Sequence, residues 1–200
     1  MFALPRLVYA SGRAHIWLEI PGSIYLGESD DPWLNESYLT YDTNFILNVI
    51  NKIPNRDNTI YDALLVLAIP YGTTSDSWSI QVGDGIYDYG DFTNRSNHPY
   101  LSRHGVYGPS GGLWTEYTIG DIAWSSTIGI PIIIENPPNG FLVHFDAYGS
   151  SDPHTQNGWY FNPYSHDADY MVAEPATLSL LGLGVLGLLG LRNKRRRVNV

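Results

Sequence analysis

Five side chains in this sequence are of the types that metal binding or proton transfer requires: His104, His144, Asp146, His166 and Asp167. Imidazole nitrogen and carboxylate oxygen together can hold zinc or iron, and the same pairing can act as general acid and base. His144 and Asp146 stand two apart in FLVHFDAY, and side chains two apart in a strand leave on one face. They can therefore aim at a single point, with His166-Asp167 arriving from a loop. The plainer alternative is that each histidine satisfies a buried carbonyl or a loop end; no HExxH or other clustered-ligand motif is present. A second set, Asp84, Asp88 and Asp91, lies with Asn94 in a glycine-bearing stretch. Hard oxygen donors in a flexible loop suit calcium, although the order of an EF-hand and its closing glutamate are missing. Solvated turn aspartates have the same appearance.

Other chemistries lose their footing quickly. Cysteine is absent, so there is neither a disulfide framework nor a thiol nucleophile. No GxSxG elbow occurs, and the carboxylates carry no pairing pattern of a glycosidase acid and base. Trp33, Trp78, Trp114, Trp124 and Trp159 could stack on sugars, but aromatics of this size are also the ordinary filling of a sandwich core. The residues before the C-terminal tail carry 19 acids against 6 Lys/Arg, a net of −13 that the tail's +4 brings to −9 overall. A body this acidic argues against phosphate-backbone recognition, so no nucleic-acid partner is expected. The resulting expectation is a non-enzymatic protein without a cofactor, calcium being the candidate ion. Its rival is a metal-dependent enzyme or a calcium-dependent carbohydrate-binding module.

The elements that would position these residues read as strands. Short alternating or β-branched runs recur between Gly, Pro, Asn and Ser clusters, the pattern of a sandwich or barrel. Strands are expected at His15 to Glu19, Asn44 to Ile50, Ala63 to Ile69, Ser77 to Val82, Trp114 to Ile119, Ile130 to Ile134 and Gly140 to Ala147. The uniformly apolar ALLVLAI of residues 63–69 should be a central strand covered on both faces. NFILNVINK (44–52) can be read as helix or strand, and the alternation of Phe45, Leu47 and Val49 favours strand. Asn139-Gly140 should supply a positive φ just ahead of a strand. The long polar stretch between Gly83 and Gly112 is where loops would carry a site.

The C-terminus is different in kind. Ala176 to Leu191 run ATLSLLGLGVLGLLGL without a charge, followed by the basic cluster Arg192, Lys194, Arg195, Arg196 and Arg197. In helix, these residues span about 24 Å, which snorkelling arginines and a thinned bilayer extend to a membrane crossing. The cations should hold the end of the chain in the cytoplasm and leave the body on the far side. Ala173-Glu174-Pro175 stands just before the apolar run.

This order of acidic-proline motif, apolar helix and basic end resembles the PEP-CTERM sorting signal of Gram-negative bacteria. Glu174-Pro175 matches, and Ala173 replaces the motif's first proline. The resemblance implies recognition by an exosortase and sorting to the cell surface or its exopolysaccharide matrix. Body segments ALLVLAIP, RHGVY, FLVHFDAY and FNPYSHDA resemble the choice-of-anchor N family, which implies an extracytoplasmic domain joined to an interchangeable sorting tail. The chain is thus expected to be all-β, a jelly-roll-like β-sandwich over residues 1–170. A sorting-motif linker (171–175), a single transmembrane helix (176–191) and a basic cytoplasmic tail (192–200) follow. Export would require a signal peptide, and MFALPRLVY (1–9), interrupted by Pro5 and Arg6, is too short to be one.

Overall fold

The computed structural model describes residues 16–27, 37–52, 59–74, 77–94, 98, 111–150 and 167–172. The N-terminal nonapeptide, His104, His166, the sorting residues Ala173, Glu174 and Pro175, the apolar run 176–191 and the basic cluster all lie outside these residues. Among the described residues no helix is long and apolar enough to cross a membrane.

The described chain is all-β, with strands β1 (Ile16–Glu19), β2 (Ile24–Tyr25), β3 (Tyr38–Thr40), β4 (Asn44–Asn51), β5 (Ile60–Pro70) and β6 (Ser79–Val82). There follow β7 (Gly85–Tyr87), β8 (Gly112–Ile122), β9 (Thr127–Glu135), β10 (Leu142–Ser150) and β11 (Ala168–Met171). They form two sheets, β1-β4-β9-β6-β7 and β2-β3-β11-β10-β5-β8. Pairing is antiparallel except where β11 runs parallel to β3.

Period-two alternation builds the core of this sandwich. From the first sheet come Ile16, Leu18, Phe45, Leu47, Val49, Ile80, Val82, Ile130, Ile132 and Ile134. The second contributes Ala63, Leu65, Leu67, Ile69, Val143, Phe145, Ala147, Ala168 and Tyr170. Phe45 of the first sheet meets Phe145 of the second edge-on, with ring centroids 6.1 Å apart. Buried Asn51 on β4 donates from Nδ2 to the Ile122 carbonyl on β8 at 2.9 Å, a polar tie between the sheets.

All seven expected strands are present, most with longer bounds, and residues 44–51 are strand rather than helix. β5 lies between β10 and β8, and Leu65, Val66, Leu67, Ala68 and Ile69 are all fully buried, so both of its faces are covered. Gly140 has φ 72° and β10 begins two residues later. The pattern did not anticipate β2, β3 and β7, which at two or three residues are too short to display a period, nor the four-residue β11. β7 and a 3₁₀ turn at Tyr89–Asp91 occupy part of the stretch expected to be loop.

Candidate functional site: a buried His–Asp cluster

Because Val143, Phe145 and Ala147 point into the core, His144, Asp146 and Tyr148 emerge on the reverse face of the second sheet. Register then decides their neighbours. His144 stands opposite Asp169 on β11 and opposite Ala68 on β5. Ala68 in turn faces Trp114 on β8, and Asp169 pairs with Leu39 on β3. One row thus runs Trp114, Ala68, His144, Asp169, Leu39 across five strands. The neighbouring row sets Glu116 opposite Val66, and Val66 opposite Asp146. Except for the half-buried Glu116, every residue in these rows is buried, so the reverse face is a second interior layer that includes charged groups.

At its centre the His144 Nδ1 donates to Asp169 Oδ1 at 2.8 Å, while Nε2 faces Asp167 Oδ2 at 3.6 Å. Ser37 also hydrogen-bonds the Asp169 carboxylate. Asp146 Oδ1 accepts the Ala147 amide at 2.8 Å. Exposure is 0 % for His144, Asp146 and Asp169 and 3 % for Asp167, so the group is closed to solvent.

Three carboxylates around one imidazole set the electrostatics. Burial alone pulls the His144 pKa down. The Asp169 carboxylate, through charge and hydrogen bond, and then Asp167 and Asp146 outweigh it and push the value up to about 9. Burial likewise raises the Asp169 carboxyl, against the pull of His144 and Ser37. Three carboxylates outnumber the one imidazole in this buried layer, which leaves it electronegative.

Beside this cluster lies a second polar group. His98, fully buried, packs its ring 4.5 Å from Trp114 and 5.0 Å from Tyr148. Its Nε2 lies 3.0 Å from Glu116 Oε1, which also accepts the Tyr148 hydroxyl at 2.8 Å. Burial raises the Glu116 pKa, but the hydrogen bonds from His98 and Tyr148, with the charge of His98, lower it on balance.

Of the residues the sequence marked for metal, the structure brings together His144, Asp146 and Asp167, with ligand atoms all within 4.8 Å of one another. This is the only such group of three or more among the described residues. Asp167 stands at the start of β11 rather than in a free loop. Asp84, Asp88 and Asp91 do not converge in this way. Asp88 caps the 3₁₀ turn by accepting the Gly90 amide at 2.7 Å, and Asp91 Oδ2 accepts the Asp88 amide at 2.8 Å. Asp84 accepts the Tyr117 hydroxyl at 3.4 Å. Among the aromatics, Trp78 and Trp114 are buried and Trp124 is exposed; Trp33 and Trp159 lie outside the described residues.

Sequence reasoning overlooked Asp169, Glu116 and His98. Asp169 left a trace: in DADYM (167–171), Asp167 and Asp169 alternate with Ala168 and Tyr170, the mark of a strand with one acidic face. Glu116 and His98 left none, since only register and tertiary packing bring them to Tyr148.

Comparison with known proteins adds one firm result. Residues 172–197 match the PEP-CTERM protein-sorting motif. The motif marks an exosortase-sorted surface protein with a membrane-directed C-terminal signal. A search among curated proteins gives no match. Among solved structures, AvmM, which catalyses macrocyclization in alchivemycin A biosynthesis, is 8 % identical with a TM-score of 0.39, covering 81 % of this chain and 90 % of its own. The human F-spondin reeler domain is 12 % identical with a TM-score of 0.34, covering 81 % and 91 %. A collagen-binding domain from a Staphylococcus aureus adhesin is 12 % identical with a TM-score of 0.27, covering 80 % and 99 %. At such identities and scores, nothing about function passes from these proteins to this chain.

Proposed function

We propose that this protein is a non-catalytic, exported β-sandwich held at the cell membrane by its C-terminal segment, processed by an exosortase near Glu174-Pro175, and incorporated into the cell surface or its exopolysaccharide matrix. The sorting motif at 172–197 carries this reading. Its physical support is the uncharged run 176–191 followed by five cations, which favours a single crossing with the C-terminus in the cytoplasm. A choice-of-anchor N-like body on the outer side is part of this proposal; the family match itself covers residues 172–197 only. Enclosure of His144, Asp146, Asp167 and Asp169, none of which is more than 3 % exposed, supports a structural role over catalysis. Use of Asp88 and Asp91 as turn caps likewise weighs against a calcium-dependent lectin-like site.

The test is expression of the full chain in Gram-negative hosts with and without an exosortase, followed by fractionation and intact-mass measurement. With the enzyme, the body should leave the membrane fraction shortened by roughly its tail; without it, the full chain should remain membrane-bound. Glu174→Ala/Pro175→Ala should abolish the shortening. Full-length material soluble in the cytosol of both hosts refutes the sorting role. Failure of the released body to co-sediment with the host's exopolysaccharide refutes the matrix role.

A further inference from the structure

The reverse face of the second sheet holds a group whose composition and spacing are those of a metal centre. His144 hydrogen-bonds through Nδ1 to Asp169, 2.8 Å away. A carboxylate behind an imidazole fixes the ring's tautomer and orientation and leaves Nε2 as the coordinating atom, the usual support of a metal-bound histidine. Nε2 faces Asp167 Oδ2 across 3.6 Å. That separation is too long for a good hydrogen bond. It matches the edge, ~3.3–3.6 Å, of a tetrahedron whose corners lie ~2.0–2.2 Å from a central zinc ion. Asp146 offers a third carboxylate from the same strand face, its ligand atom within 4.8 Å of the other two.

A second observation comes from Asp169. Its Oδ2 is buried and has no hydrogen-bond partner among the described residues. A desolvated carboxylate oxygen without a donor is stabilised by a nearby cation, and three carboxylates against one imidazole leave the layer electronegative. A divalent ion removes that imbalance in a way one imidazolium does not. The donor set favours a transition ion over calcium, and of zinc and iron the tetrahedral edge just described fits zinc. One nitrogen and two carboxylate oxygens suit zinc, whereas calcium takes six to eight oxygens.

We infer that His144 Nε2, Asp146 and Asp167 bind a zinc ion, with Asp169 as the positioning carboxylate and an enclosed water at the fourth corner, and that the ion is structural, clamping β10 to β11 on the reverse face. The inference stands apart from the sorting reading and survives if that reading fails. Each depends on a different part of the chain.

The experiment uses full-length, untagged protein purified in mild detergent without added metal or chelator. Elemental analysis should find zinc stoichiometric with the chain, and prolonged chelation should lower the melting temperature, with zinc restoring it. Replacement by Co²⁺ should give the intense visible absorption of a tetrahedral site, which six-coordinate surface binding does not produce. Asp169→Asn should weaken zinc affinity by about 10–100-fold, as loss of an outer-shell partner does. Asp146→Asn and Asp167→Asn should abolish the cobalt band. Should those variants fail to fold, the wild-type metal content, melting shift and cobalt spectrum still decide. Protein that is isolated metal-free, shows no melting shift with zinc and gives no tetrahedral cobalt band overturns the inference. His144 is then an imidazolium held between Asp169 and Asp167.

Discussion

Val66 and Leu67 are adjacent on β5, point to opposite faces and are both fully buried, so truncating each separately asks whether the second sheet is covered on both sides. Leu67 belongs to the sandwich core; Val66 lies on the reverse face, between Glu116 and Asp146 in register. Val66→Ala removes two methyl groups, about 1.6 kcal/mol of transfer free energy at ~0.8 kcal/mol per group, and a residual cavity brings the cost to about 2 kcal/mol. Leu67→Ala should cost about 3 kcal/mol by the same reasoning. At ~2–4 °C per kcal/mol for a chain of this size, the melting temperature should fall by ~4–8 °C and ~6–12 °C respectively. Ile46→Thr, at a position 46 % exposed on β4, keeps the β-branch and serves as the control, with an expected change within ~0.5 kcal/mol. Differential scanning fluorimetry of the detergent-solubilised chain reads all three. A Val66→Ala variant that melts with the control would mean that solvent reaches the reverse face. The enclosure of the His–Asp cluster, and the case for a structural ion, would go with it.

Two further changes probe the same sheet. Glu116→Gln should weaken the contacts to His98 and Tyr148 and lower stability at neutral pH by about 1 kcal/mol. The folded Glu116 pKa lies below its unfolded value, so its contribution is present above the unfolded pKa and disappears as pH falls through the folded one. Wild type and variant should therefore converge in melting temperature as pH is taken from 7 to below the ordinary glutamate range, and a gap that persists or widens contradicts the assignment. Gly149→Ala would drive its new methyl into the Ile60 side chain and close to the Tyr61 carbonyl and the Ala63 backbone, at the bulge where β5 and β10 lose register. Overpacking there should cost ~1–3 kcal/mol, and urea unfolding at unchanged slope would measure it. A neutral result would show that the bulge relaxes freely.

Much of this protein was decided along the chain. The period-two pattern of Phe45, Leu47 and Val49 makes a strand whatever its partners, because only one face can be buried. The apolar run 63–69 had to lie centrally, since a strand without a polar face cannot be left half wet. Asn139-Gly140 specified a turn, and the tail's acidic-proline motif, apolar run and basic end specified sorting by local composition alone. Even the common direction of His144 and Asp146 followed from their spacing.

Tertiary structure decided what those residues face. Register across β10 and β11 set Asp169 behind His144, and packing of the reverse face turned ordinary titratable residues into a closed, electronegative layer. A strand as short as β3 carries too few residues to show a period, and β11 shows one over only a handful. Their existence depends on pairing with each other and with β10, which is a non-local gain. The turn aspartates illustrate the converse: their composition suits calcium, and only the folded backbone shows Asp88 and Asp91 serving as caps. Sequence fixes which face a side chain leaves by, because alternation is a property of one strand. Which groups share that face, and whether water reaches them, belongs to strands far apart in the chain.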